Sequence, residues 1–372
     1  MKVKKLTAYL TSSLLAPSGW MTVKPFLFVR LETDSGVCGW GECYTLAHRQ
    51  HAMMVLLEVL ADEIIGQSVY DVDGFLTRAI DGVAEKRPGI DLYCVVSGIE
   101  TAMWDVQAKH AGQPLYELLG GDATTRLPLY LNLWSDLGQS LQAVCQKAET
   151  AVASGFGAVK MYPFKVATEL AGAAHAVREL RQSLGADIEL LIDCGRALDE
   201  CSALEFSRRL EGLDVYWLEE PVTSRDAVAL RDINAGSSLR LVSGESVCGC
   251  EEFRTILEMT GIEILNPDVA VCGGVKEFQA IATMASSYDA VVSPHNYNSM
   301  ITGLGASCHL ASTMNNCLLL EYFDDHADAG NVYGECEIRI DSGHAVLGRS
   351  PGLGVSFDEI KLRSVSTEVL EK

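Results

Sequence analysis

Three short apolar runs of this chain end in acidic residues: IELLID at residues 188–193, DVYWLEE at 214–220 and LRLVSGE at 239–245. Stretches with helical periodicity separate the runs. Continuous apolar runs that alternate with amphipathic helices are typical of parallel strands buried on both faces. The acids Asp193, Glu219 and Glu245 are 26 residues apart in each case, so one strand–helix unit separates each acid from the next.

Five further runs extend this pattern. They are LPLYLNLW (127–134), GAVKMY (157–162), IEILNPD (262–268), AVVSPH (290–295) and CLLLEY (317–322). Eight strand–helix units in a row favour an α/β fold of the TIM-barrel type. A doubly wound open sheet is the alternative, but no GxGxxG follows any run, which weakens a dinucleotide-binding version.

The residues on either side of the barrel have a different pattern. Val3 to Leu10 reads as a first strand, FLFVRLETDSGVCGWGE (26–42) as a hairpin, and 50–66, 72–84 and 96–111 as helices. We therefore predict an α+β domain over 1–125, a barrel over 126–325, and a C-terminal segment, 326–372, that packs back on the first domain.

Composition restricts the partners and the compartment. The chain has 372 residues, 48% of them hydrophobic, and a formal net charge of −21. Such a surface repels nucleic acid and anionic membranes. The 12 scattered cysteines predict a reducing, cytoplasmic location. The chain contains no run of about 18 apolar residues, so no membrane span is predicted.

The ends of the barrel strands carry the candidate chemistry, because active sites of such barrels lie at the carboxyl ends of the strands. Asp193, Glu219 (or its neighbour Glu220) and Glu245 would lie side by side there. Three close carboxylates repel one another, and a divalent cation relieves the repulsion. All-oxygen ligation favours Mg²⁺.

The last three runs end in Asp268, His295 and Glu321. A carboxylate beside an imidazole orients the ring and raises its pKa, which suits a general base. Glu321 is either a polar or electrophilic partner of the reaction or a buried, hydrogen-bonded carboxylate.

The chain resembles the enolase superfamily, close to the mandelate racemase subgroup of the mandelate racemase/muconate lactonizing enzymes. Motifs along the whole chain carry the resemblance. They are SGIETAMWDVQAKHAGQPLYELLGG (97–121), GFGAVKMY (155–162), LLIDCG (190–195), WLEEP (217–221), VSGES (242–246), LNPDVAVCGGV (265–275), VVSPH (291–295) and PGLGV (351–355).

The resemblance implies a capping domain on a modified (β/α)₇β barrel. It implies Mg²⁺ bound by Asp193, Glu219 and Glu245, and abstraction of the proton α to a carboxylate. By analogy with the family we also expect a homo-oligomer.

Lys160 matches the first lysine of the Lys-x-Lys pair that the family often carries, but Tyr162 stands in place of the second. Tyr162 is either a base with a lowered pKa or a hydrogen-bond donor that shapes the pocket; we favour the donor. With His295 as the single strong base, we predict dehydration of a sugar acid to a 2-keto-3-deoxy acid, in which His295 also protonates the leaving hydroxyl. An epimerase, racemase or cycloisomerase is the alternative, and a non-catalytic metal-binding relative is a third reading.

Family analogy assigns specificity to two capping-domain loops, 13–24 and 43–51. The candidate substrate contacts there are Trp20, Met21, Tyr44, His48 and Arg49. His48 and Arg49 either bind a distal hydroxyl or second carboxylate of the substrate or are ordinary solvated loop residues. Relatives often carry a polar residue at the position of Gly195. We therefore expect the following residue, Arg196, to contact the substrate instead.

Overall fold

The computed structural model describes residues 1–11, 25–45, 48–122, 126–134, 140–297 and 299–372, with the side chains of 325–329 not described. Trp20 and Met21 therefore lie outside the described residues. The strands are β1 Val3–Thr11, β2 Phe26–Thr33, β3 Cys38–Cys43, β4 Arg126–Asn132, β5 Ala158–Met161, β6 Glu189–Asp193, β7 Val215–Glu219, β8 Leu241–Ser243, β9 Ile264–Leu265, β10 Val291–Val292, β11 Leu320–Tyr322, β12 Gly334–Cys336, β13 Arg339–Asp341, β14 His344–Val346, β15 Val355–Phe357 and β16 Ser366–Glu371.

The helices lie between these strands. They are α1 Gln50–Ile64, α2 Val72–Thr77, α3 Ile90–Ala111, α4 Leu115–Leu118, α5 Leu141–Ala153, α6 Pro163–Val166, α7 Leu170–Leu184, α8 Glu200–Leu210, α9 Ala227–Gly236, α10 Gly249–Thr260, α11 Val275–Ser286, α12 Ile301–Ala311, α13 Asp324–Tyr333 and α14 Glu359–Val365. A π-helical turn, Arg78–Val83, continues α2, so the stretch 72–84 that reads as one helix changes its hydrogen bonding halfway.

The predicted barrel is confirmed. Within the described part of the chain, β4 to β11 are parallel and neighbours in chain order, and β11 returns to pair with β4. The Val292 amide donates to the Asn316 carbonyl and the Leu318 amide donates to the Val292 carbonyl, which joins β10 to the last strand. Each of the eight apolar runs supplies one strand. The runs are apolar throughout because one face of each strand lines the barrel interior and the other packs against the surrounding helices.

A four-stranded antiparallel sheet, in the order β16-β1-β2-β3, forms the first layer with α1 and α3, and the barrel is the second layer. The 22-residue α3 is buried along most of its length and ends at Gly112, whose φ of 69° is the left-handed conformation expected of a helix C-terminus. The segment 326–372 contacts both layers, since β14 pairs with β4 of the barrel and β16 pairs with β1. The domain boundaries themselves stay a prediction.

Three buried carboxylates of the first layer accept hydrogen bonds from backbone amides of the rest of the chain. Glu42 accepts from Met300 and Gly303 at the start of α12 (2.8 and 3.0 Å). Glu100 accepts from Val275 (2.7 Å) and Lys276 (3.0 Å) at the start of α11.

Asp105, the third of these carboxylates, accepts from the Leu353 amide at 2.8 Å. Glu42 and Glu100 lie at the N-termini of α12 and α11, where they satisfy amides that have no partner within the helix. Two glycines make room for these carboxylates: a Cβ on Gly274 would lie 2.1 Å from Glu100 Oε2, and one on Gly352 would lie 2.1 Å from Asp105 Oδ1. These contacts fix the first layer over the barrel, and they place β3 and α3 beside the strand ends.

Candidate metal centre and catalytic residues

The three acids predicted as metal ligands converge at the carboxyl ends of β6, β7 and β8. Asp193 and Glu219 are the last residues of their strands and face each other in the β6–β7 register. Glu245 follows β8 by two residues. One carboxylate oxygen of each lies within 4.8 Å of the others. The Asp193 and Glu219 side chains are buried and that of Glu245 is 13% exposed.

The electrostatics of this cluster fit a divalent cation. Burial raises the pKa of Glu219 well above its usual value, and the charges of Asp193 and Glu321 raise it further. Burial, followed by the charge of Glu245, also raises the pKa of Asp193. Buried carboxylates that repel each other in this way are stabilised by a hard cation with oxygen ligands. The donor set therefore fits Mg²⁺.

Lys160 lies beside the cluster and is completely buried. Its Nζ is 2.8 Å from Glu219 Oε1, 2.7 Å from Glu321 Oε1 and 3.4 Å from Asp193 Oδ2. Burial alone would lower the pKa of Lys160, but the charges of Glu219 and Glu321 raise it well above its usual value. The ammonium is therefore a permanent positive charge at the mouth of the barrel.

Asp268 and His295 form the predicted pair. A parallel β-bridge joins the two residues, and His295 Nδ1 lies 2.8 Å from Asp268 Oδ2. Burial would lower the pKa of His295, but the carboxylates of Glu321 and Glu245 and the hydrogen bond to Asp268 raise it to about 9. Nε2 faces the carboxylate cluster, at 3.5 Å from Glu245.

Glu321 is a buried, hydrogen-bonded carboxylate. Its oxygens accept from Asn132 Nδ2 (2.7 Å) and from the Asn296 amide (2.9 Å). Burial would raise the pKa of Glu321, but the charges of Lys160 and His295 hold it at about 2. The group therefore stays ionised, which favours a role as the anchor of Lys160 over one as a proton donor.

Tyr162 follows β5 and precedes Pro163, which starts α6. Burial raises the pKa of Tyr162 well above its usual value, and the charge of Asp193 adds to this more than Lys160 offsets it. This direction favours a neutral phenol over a phenolate base. Tyr162 Oη accepts a hydrogen bond from Asn132 Nδ2 at 2.9 Å.

The candidate substrate contacts separate into two groups. Tyr44 lies by the site, where burial and the charge of Glu245 raise its pKa well above the usual value. Arg196 also lies there, with Nη1 2.5 Å from Glu245 Oε1. His48 and Arg49 are exposed, and Arg49 pairs with Asp91 at the start of α3 (3.2 Å). The described structure therefore connects Tyr44 and Arg196 to the site but not Arg49.

The expectations from sequence missed four residues of the mouth. Asn132 and Asn266 lie at or just beyond strand ends, and Asn266 Nδ2 donates to Glu219 Oε1 at 3.1 Å. The rule that selected the acids takes the last residue of each run, and the two asparagines lie two residues before the ends of LPLYLNLW and IEILNPD, so the rule did not select them. Trp134 and Tyr297 form an aromatic wall, with ring centroids 5.8 Å apart. Nothing in their sequence context distinguishes them from core aromatics.

Comparisons with known proteins agree with this fold and site. The family model "Enolase C-terminal domain-like" matches residues 143–361, and "Mandelate racemase / muconate lactonizing enzyme, N-terminal domain" matches residues 14–120. The chain therefore belongs to the enolase superfamily, in its mandelate racemase/muconate lactonizing enzyme branch. Among the described residues, no helix has both the length and the apolar character needed to cross a membrane.

Relatives named as D-galactonate dehydratases match nearly the whole chain. A D-galactonate dehydratase of Xanthomonas euvesicatoria pv. vesicatoria is 30% identical over 98% of this chain and 94% of its own length. One of Ralstonia nicotianae is 29% identical over 96% and 93%. A solved structure described as an enolase from the Sargasso Sea environmental genome has a TM-score of 0.92 at 26% identity, and covers 100% of this chain and 98% of its own.

Proposed function

We propose that this protein is an acid-sugar dehydratase that needs a divalent cation. It removes the proton α to the carboxylate of a sugar acid and eliminates the β-hydroxyl as water, which gives a 2-keto-3-deoxy acid. The observation that carries the proposal is the arrangement around the acidic cluster: one oriented imidazole, His295, faces it, and a tyrosine occupies the position of a second base. The D-galactonate dehydratases at about 30% identity support this reaction class.

Asp193, Glu219 and Glu245 would hold the Mg²⁺, which when bound supplies positive charge to the substrate carboxylate as negative charge builds up there. Lys160 contributes a second, permanent charge. Such fixed charges stabilise the transition state most where water is excluded, and the burial of Lys160 meets this condition.

His295 is the proposed base and acid. Asp268 accepts from Nδ1–H, and Nε2, once it has lost its own proton, takes the α-proton from carbon. The C–H electron pair moves toward the carboxylate. It then expels the β-hydroxyl, which takes the proton from Nε2–H and leaves as water. The enol that remains becomes the keto acid, and His295 returns to its neutral form.

The test is a screen of aldonic and aldaric acids, with D-galactonate among them, in the presence of Mg²⁺. We expect at least one acid to give an α-keto acid that semicarbazide detects. The His295→Asn variant should lose about a thousandfold or more of this turnover, since it lacks the base, and should still bind the cation. Unchanged turnover in the variant would contradict the proposal.

The same screen separates the alternative reactions. Solvent deuterium incorporated at C2 without keto acid, or a change of optical rotation without keto acid, indicates an epimerase or racemase, in which Tyr162 serves as the second acid. If none of these assays gives a signal, the remaining alternatives are a cycloisomerase and a non-catalytic, metal-binding protein.

A further inference from the structure

The hydrogen bonds of Asn132 determine which way its amide points. Asn132 is buried, with no exposed surface. Its Oδ1 accepts from the backbone N–H of Trp134 at 2.7 Å. Its Nδ2 donates to Glu321 Oε1 at 2.7 Å and to Tyr162 Oη at 2.9 Å. All the hydrogen-bonding groups of the amide are therefore in use.

The opposite orientation of the amide is excluded by its neighbours. A flipped Asn132 would place NH₂ against the N–H of Trp134, so two donors would face each other. It would also place the carbonyl oxygen against Glu321, which the ion pair with Lys160 keeps as a carboxylate, so two acceptors would face each other. A backbone N–H only donates and a carboxylate only accepts. The Trp134 N–H and the Glu321 carboxylate therefore allow only one orientation of the Asn132 side-chain amide.

This orientation assigns the hydroxyl of Tyr162. A phenol has one hydrogen to donate and can accept from another donor. Because Asn132 Nδ2 donates to Oη, the hydrogen of Tyr162 cannot point toward Asn132. In the described residues no group accepts from it, and Tyr162 is half-buried at the barrel mouth, with its ring 5.7 Å from Lys160 Nζ.

We propose that Asn132 is a positioning residue that makes Tyr162 an obligate hydrogen-bond donor to an oxygen of the bound substrate. This inference rests on the proposed function for its substrate, an acid sugar, and it goes beyond it by fixing the role of Tyr162. The tyrosine at the position of the family's second lysine therefore supplies a hydrogen bond and does not remove a proton.

The kinetic test uses substitutions that reverse or remove one donor. In Asn132→Asp a carboxylate replaces the NH₂ group, so Tyr162 donates to residue 132 and is lost to the substrate. We expect Asn132→Asp and Tyr162→Phe each to lower kcat/KM about tenfold to a hundredfold. The double variant should be no worse than the poorer single variant, because both remove the same hydrogen bond.

Matched variants separate positioning from mere stability. Asn234→Asp is the control, since the Asn234 amide also donates to two acceptors, Thr260 O and Gly261 O, but on the outer helices. We expect it to keep kcat/KM within about twofold. Asn132→Leu serves if the new charge beside Glu321 prevents folding, and we expect it to lower kcat/KM but less than Tyr162→Phe. Additive losses in the double variant, or full activity of Tyr162→Phe, would overturn the inference.

A measurement without turnover keeps the inference separate from the proposed reaction. Neutron diffraction from crystals of the deuterium-exchanged protein locates the deuterium of Tyr162. We expect it to point into the mouth, with the deuterons of Asn132 Nδ2 toward Tyr162 and Glu321. A Tyr162 deuterium that points at Asn132 would refute the inference, whatever acids the protein turns over. If the wild-type protein turns over no acid sugar, the proposed function fails and the neutron result alone decides.

Discussion

Lys160 concentrates the electrostatics of the site in one residue. A buried ammonium is costly unless it is paired, and here it has three carboxylates within 3.4 Å. Two of them, Asp193 and Glu219, are proposed metal ligands. The lysine therefore neutralises part of the charge that a cation would otherwise feel.

Because Lys160 and the cation compete for the same carboxylates, removal of the lysine should have opposite effects on kcat and on the affinity for Mg²⁺. In Lys160→Met the positive charge at the substrate carboxylate is lost, so we expect kcat to fall by about a hundredfold or more. We expect the same variant to bind Mg²⁺ more tightly, because the ligands lose a competing cation. Titration calorimetry and steady-state kinetics measure the two effects. Weaker Mg²⁺ binding would show that Lys160 instead holds the ligands in place.

The acids of the site were predictable from sequence because each ends an apolar run. Asp193, Glu219 and Glu245 needed only the rule that strand ends meet at one rim. The partners of Tyr162 were not predictable in the same way, since a hydrogen bond from Asn132 depends on the stagger of β4 against β5. Whether Arg49 turns toward the mouth or toward Asp91 is likewise decided by side-chain packing in three dimensions.

At the scale of elements, α3 carries a titrating group in an unusual place. Glu100 is fully buried and accepts from two amides at the start of α11 and from Trp104 Nε1 (2.6 Å). Burial raises the pKa of Glu100 to about 7, and the charge of Glu277 adds to this although the hydrogen bonds oppose it. The SGIETAMWD motif thus includes a carboxyl group that titrates near neutrality.

The sign of the pH effect follows from this raised pKa. The folded protein holds the proton of Glu100 up to about pH 7, whereas the unfolded chain releases it near pH 4.5. The contribution to the free energy of unfolding is therefore present below pH 4.5 and is lost as the pH rises to about 7, by about 3 kcal/mol at most.

Glu100→Gln lacks this titration. We expect the stability of the wild-type protein relative to the variant to fall between pH 4.5 and about pH 7, as urea unfolding measures. A constant difference between the two proteins would argue against a raised pKa at Glu100.

The contact of Asp105 with the 351–355 segment offers a second test at this scale. Gly352 and Gly36 have similar φ angles, 80° and 83°, but a Cβ would meet Asp105 only at Gly352, and nothing within 4 Å at Gly36. Gly36→Ala should cost about 1–2 kcal/mol for its left-handed backbone. Gly352→Ala should cost about 2 kcal/mol more, because it also separates Asp105 from the Leu353 amide. Equal losses in chemical denaturation would show that the carboxylate contact contributes nothing.

For the whole molecule, the closed barrel followed from eight apolar runs in order, and the first sheet from one hairpin. The attachment of 326–372 did not follow completely. The three-residue strands β13 and β14 are too short for a period-2 pattern to show. β13 pairs with β14, and β14 pairs with residues 126–128 of β4, ahead of the part of β4 that pairs with β5 and β11. The π-helical turn after α2 was not predicted either, because apolar periodicity does not reveal an extra residue in one turn.

The acidic cluster should couple cation binding to the stability of the entire fold. We expect Mg²⁺ to raise the thermal midpoint in a saturable way, since a ligand bound only to the native state stabilises it. Asp193→Asn should abolish this response and should be at least as stable as the wild-type protein without the cation, because one buried like charge is gone. Calorimetric scans with and without Mg²⁺ measure both. A variant that still responds to Mg²⁺ would place the cation elsewhere.

The joint between the first layer and the rest of the chain includes three carboxylates on one side and backbone amides on the other. Every sequence supplies backbone amides, so these hydrogen bonds require little beyond glycine at 274 in the barrel and at 352 in the C-terminal segment. We expect a module attached in this way to be exchangeable between distant homologues while its loops diverge. We therefore expect recombination of capping and barrel segments to give folded proteins with new specificities.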